Sequence, residues 1–64
     1  MHTAGELLNR IEEEINETER RLSFWRQQES LQAGTDLAAH IRLIVDGYDR
    51  QLGHLEEARK LIQL

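Results

Sequence analysis

The chain has 64 residues, 31 % of them charged, with a formal net charge of -4 and neither cysteine nor proline. No cysteine means no disulfide scaffold and no thiolate metal site, and this length holds the chain to one small domain, residues 1–64, with a modest core. Residues 1–32 hold seven acids and four bases and residues 33–64 hold five and four, so neither half has the basic character that phosphate-backbone binding requires.

Thr3 and Glu6 have the T-x-x-E spacing of a capping box and mark the start of a first helix, about residues 4–32. His2 lies in the frayed segment before it. Leu8, Ile15 and Leu22 then occupy the a positions of a heptad, and Ala4, Ile11, Thr18 and Trp25 the d positions. The next a residue is Glu29, where the seam weakens. Gly34 suits the left-handed position that ends a helix, and Thr35 or Asp36 caps the second helix. The turn therefore falls near residues 33–36, and a connection this short favours antiparallel neighbours.

The second helix is expected over about 36–63. The seam assigned to it has Ile41, Tyr48, Leu55 and Ile62 at a, and Leu37, Ile44, Gln51 and Ala58 at d. Across the turn the layers pair at numbers summing to 69 or 70: Ile11 with Ala58, Thr18 with Gln51, Leu22 with Tyr48, Trp25 with Ile44. Gly47 and Gly53 are weak points, each costing ~1 kcal/mol relative to alanine in a helix interior, but the periodicity runs through both. The fold class is all-α, an antiparallel two-helix hairpin.

Apolar residues spill beyond one stripe. Val45 and Leu52 fall at e, Leu43 at c and Leu61 at g of the second helix. Leu7 falls at g, and Phe24 and Leu31 at c, of the first. A face wider than one seam is what a bundle helix needs, so the expectation is dimerisation into a four-helix bundle. The candidate interaction surface is Phe24, Leu31, Leu43, Val45 and Leu52, rimmed by Arg26 and Arg42. Phe24 is its aromatic anchor.

The chemistry-bearing residues are sparse. His40 and His54 stand fourteen residues apart, ~21 Å along one helix, too far to share a metal. Neither E-x-x-H nor H-E-x-x-H occurs. Glu12, Glu13, Glu14, Glu17 and Glu19 fan out around the helix and do not converge. Ser23 and Ser30 have no histidine and orienting group arranged for nucleophilic catalysis. No catalytic residue, metal ligand or cofactor is assigned. No apolar run approaches the ~20 residues of a membrane span, and no leader pattern opens the chain.

The expectation is a cytoplasmic, non-enzymatic protein–protein interaction module. It pairs with itself and docks on a protein partner as an adaptor, regulator or inhibitor. A structural component of a larger assembly is the alternative, and a nucleic-acid-binding hairpin dimer a more distant one.

Overall fold

A computed structural model describes residues 3–64; His2 lies outside them. Two helices, α1 (Ala4–Leu31) and α2 (Asp36–Ile62), pack against each other as an antiparallel hairpin about 47 Å long. The start of α1 is fixed as its sequence dictates. Thr3 stays extended while its hydroxyl oxygen accepts from the Glu6 amide at 3.1 Å, satisfying a helix-end donor that has no intrahelical partner.

At the far end, the Gln32 amide donates to the Gln28 carbonyl at 2.9 Å. The chain then reverses through Gly34 at φ 86°, a left-handed conformation that side chains with a Cβ resist. Thr35 occupies the N-cap position of α2, but its side chain does not cap. Its hydroxyl donates back to the Gln32 carbonyl at 2.7 Å, and its amide donates to the same oxygen at 3.0 Å. The turn thus spends the threonine on closing itself.

α2 runs unbroken through Gly47 and Gly53, where a Cβ would meet nothing within 4 Å. Neither glycine marks a close helix contact. Proline is absent, so no side chain interrupts either backbone ladder.

The α1 seam follows the heptad from Leu8 onward, with Ile11, Ile15, Thr18 and Leu22 buried and Leu8 and Trp25 partly so, while Ala4, expected at d, is exposed at the start of the helix. The α2 seam differs by one position. Val45, expected outside the seam, is only 2 % exposed and clusters with Leu22 and Ile41, with Trp25, Tyr48 and Leu52 packed around them. Ile44, expected inside it, is 37 % exposed, and Leu37 and Gln51 also face solvent. The inward row of α2 is therefore Ala38, Ile41, Val45, Tyr48, Leu52, Leu55, Arg59 and Ile62.

The physical reason is that Ile41, Tyr48, Leu55 and Ile62, common to both rows, can be completed by Leu37, Ile44, Gln51 and Ala58 or, one residue on, by Ala38, Val45, Leu52 and Arg59, and the helix turns 100° between each of these pairs. Counted from the turn, this row matches the α1 seam at a constant sum of 70: Leu22 with Tyr48, Trp25 with Val45, Thr18 with Leu52, Ile15 with Leu55. The polar Thr18–Gln51 layer is thereby replaced by Thr18 alone, 3 % exposed, while Gln51 reaches water. Among the described residues no buried side-chain polar atom lacks a hydrogen-bond partner.

Two glycine substitutions test this backbone account. Gly34→Ala places a Cβ at positive φ and is expected to lower stability by ~1–2 kcal/mol. Gly53→Ala adds a methyl group in open space on an exposed helix face and is expected to raise stability by up to ~1 kcal/mol. Thermal unfolding followed by circular dichroism, at one fixed protein concentration, reads both.

Candidate interaction surface

The inward rows of α1 and α2 fix what the two broad sides of the hairpin present. In an antiparallel pair of right-handed helices, the residue after each inward position turns to the same side on both helices. The residue before each inward position turns to the other. An ion pair marks the first side: Arg26, which follows Trp25, donates through Nη2 to both oxygens of Asp49, which follows Tyr48, at 3.0 and 3.2 Å. On the same side Arg42 reaches Glu29 at 3.5 Å and Asp46 at 3.4 Å.

This first side carries no large apolar side chain. It consists of Glu12, Asn16, Glu19, Ser23 and Arg26 on α1 with Arg42, Asp46, Asp49, Glu56 and Lys60 on α2, together with small and amide neighbours. Its ion pairs are solvent-exposed, worth about 0–1 kcal/mol each. They hold the register of the helices more than they stabilise the fold.

The second side is different in kind. Leu7, Phe24, Leu37, Ile44 and Leu61 precede inward positions, Leu31 precedes the partly buried C-cap residue Gln32 and lies seven residues after Phe24, and these are six of the eight exposed large hydrophobic residues among those described. Phe24, 51 % exposed, leans its ring against Trp25 edge-on, with centroids 5.1 Å apart and planes at 79°. Phe24, Leu31, Leu37 and Ile44 gather toward the turn, and Leu7 and Leu61 sit at the open end. Between them lies a polar waist of Arg10, Glu14, Glu17 and Arg21 on α1 and Gln51 and His54 on α2.

The waist is neutralised along α1 itself. Arg10 meets Glu14 at 3.0 Å, and Glu17 accepts from Arg20 at 2.7 Å and Arg21 at 3.1 Å. The hydrogen bond and charge of Arg20, helped by Arg21, hold the Glu17 carboxyl below the usual glutamate range. A folded-state value below the unfolded one gives a contribution that is present above the ordinary glutamate range. It fades as pH falls through the folded value. Arg21 is therefore occupied within α1 and does not cross to Asp46 or Asp49, which pair with Arg42 and Arg26.

The seven residues expected to form one surface separate into four places. Phe24 and Leu31 lie on the apolar side. Val45 and Leu52 belong to the inward row and hold the two helices together. Arg26 and Arg42 lie on the opposite, polar side and rim no apolar patch. Leu43, 66 % exposed, points outward from α2, where it borders a shallow groove with Ile44, Gly47, Tyr48 and Gln51. Leu37 and Ile44 were missed because the heptad assignment put them inside the seam. The signal that could have found them is the constant sum of 70, which only the shifted row satisfies.

Among the described residues no group of three or more histidine or acidic side chains is placed to hold a metal ion, and no helix is long and apolar enough to cross a membrane. The fold and surface together define a helical hairpin with one polar and one apolar broad side. Compared with known proteins, the chain matches no family model, no curated protein and no solved structure.

Three neighbouring residues of α2 check the assignment of sides. Val45→Ala removes packed core methyl groups and is expected to cost about 2 kcal/mol. Leu43→Ala, at a position 66 % exposed, should change monomer stability by no more than ~0.5 kcal/mol, and Ile44→Ala, at 37 % exposed, should fall between the two. Urea unfolding of the three variants at low protein concentration measures this, and equal effects would contradict the assignment. Separately, an NMR titration of the Glu17 carboxyl should show it protonating below the ordinary glutamate range, with Arg20→Gln moving it upward.

Proposed function

We propose that this protein is a non-enzymatic, homo-oligomeric protein–protein interaction module. It works as an adaptor, regulator or inhibitor by presenting paired hairpins to a protein partner. The single observation that supports this reading is the segregation of exposed apolar side chains onto one broad side of the hairpin. Scattered surface leucines are ordinary, but a one-sided collection on a small protein marks an association surface.

Two helices bury one stripe each against one another, and a chain of this size gains little core from that alone. Covering the apolar side completes a bundle core. The magnitude is adequate. Twelve half-exposed apolar side chains, six from each of two copies, supply on the order of 12 kcal/mol at ~1 kcal/mol each. The loss of translational and rotational freedom costs ~4 kcal/mol or more, which leaves at most ~8 kcal/mol and a micromolar dissociation constant at best.

The experiment is gel filtration with light scattering at concentrations from about ten to several hundred micromolar, a range set by that micromolar estimate. A mass near twice the 7.5 kDa chain is expected at the upper end. Phe24→Asp, which puts a charge in the middle of the apolar group, is expected to return the chain to a monomer. A monomeric wild type throughout that range contradicts the reading.

A further inference from the structure

The apolar side has a layered order that says how a second copy sits on it. Taking the exposed row of each helix by height, from turn to open end, gives Leu31 beside Leu37, then Gln28 beside His40, Phe24 beside Ile44, and Arg21 beside Gly47. The order continues with Glu17 beside Gln51, Glu14 beside His54, Arg10 beside Ala58, and Leu7 beside Leu61. Large apolar residues share a level, long arginines share a level with the small residues Gly47 and Ala58, and Glu14 shares one with a histidine.

From this order we infer that the occupant of the apolar side is a second copy related by a twofold axis parallel to the helices, with both turns at the same end. The inference rests on the homo-oligomeric reading above and adds its geometry. In this arrangement α1 of one copy lies on α2 of the other at equal height, so each level meets its own match. Phe24 packs on Ile44 across the interface, Leu31 on Leu37 and Leu7 on Leu61. Arg21 and Arg10, paired with Glu17 and Glu14 of their own helix, lie at the levels of Gly47 and Ala58, whose small size leaves them room, and Glu14 lies at the level of His54. A Gly47 with open space above it suits a position where a long side chain crosses.

The opposite arrangement, with turns at opposite ends, lays α1 on α1 and α2 on α2. With the hairpins fully overlapped, Leu31 meets Leu7, Leu37 meets Leu61 and Arg21 meets Glu17, but Phe24 lands on Glu14 and Ile44 on His54, so the aromatic anchor is buried against a carboxylate and only two of the three apolar levels find a match. Sliding the copies until Phe24 meets Leu7 sets Arg10 on Arg21 and Glu14 on Glu17. Ile44 then also meets Leu61, but like charges oppose directly, and Leu31 and Leu37 hang beyond the end of the other copy. Specificity of this kind arises from what the wrong arrangement leaves unpaired. The 47 × 17 Å outline of the molecule bounds this side at about 800 Å², so a contact over its whole length is at most of standard size.

The chain has no cysteine, so one introduced cysteine takes one spin label. Ala33→Cys puts the label in the exposed turn, and Gln63→Cys, as a second variant, puts it at the open end. Pulsed electron paramagnetic resonance measures the distance between labels in samples whose mass is checked by light scattering. With helix axes ~8–10 Å apart in a bundle, both variants are expected to give roughly 20–30 Å between labels. Distances approaching the 47 Å length of the hairpin at both ends overturn the parallel arrangement while leaving self-association intact. A monomer mass for both labelled variants and for the unlabelled chain overturns the arrangement and self-association together.

Discussion

Val45 packs with Leu22 and Ile41 at the turn end of the hairpin, and its inward position fixes the rotation of α2 about its own axis. That rotation governs every other surface of the molecule. With Val45 inside, Asp49 and Arg42 swing to the side where Arg26 and Glu29 meet them, while Ile44 and Leu37 swing to the side that holds Phe24 and Leu31. A helix turned by one residue would put Ile44 in the core, expose Val45 and Leu52, and mix the two sides. One packing choice therefore sorts charge to one broad side and apolar area to the other.

The sorting has a consequence for stability as well as association. Salt bridges on the polar side are exposed and individually weak, so they bias register without carrying the fold. The buried row of α2 is fully closed only at Ile41 and Val45. From Tyr48 to Ile62 it is partly open. Opposite that stretch Ile11, Ile15 and Thr18 of α1 are buried, so the hairpin is closed on one helix and partly open on the other, and a second layer over its length adds to both. A small all-helical chain without cysteine has no disulfide to supply that stability.

Much of the fold was legible from local chemistry. The Thr3 cap, the Gly34 reversal and the α1 seam each rest on a residue type whose reason is local, and each stands where the sequence puts it. The absence of proline likewise made an unbroken α2 readable through two glycines. The α2 seam was not legible locally, because Leu37–Ile44–Gln51 and Val45–Leu52 are equally regular rows on one helix, and periodicity alone gives no preference between them. Tertiary packing against α1 decides, and its trace in the sequence is a register that stays constant from layer to layer. The candidate surface inherited that error: it gathered Val45, Leu52, Arg26 and Arg42 around Phe24 when only Leu31 among the other six shares its side.

The proposed self-association covers one side of this hairpin and not its outer edge. Methyl NMR with a soluble paramagnetic agent, recorded from about ten micromolar to about one millimolar across the micromolar range, tests it at the level of single residues. The Val45 methyls should be protected at every concentration. Those of Leu37, Ile44 and Leu61 should gain protection together as concentration rises, while Leu43 stays accessible throughout. Protection that spreads to Leu43 equally, or an Ile44 that remains as accessible at the highest concentration as at the lowest, would contradict the account.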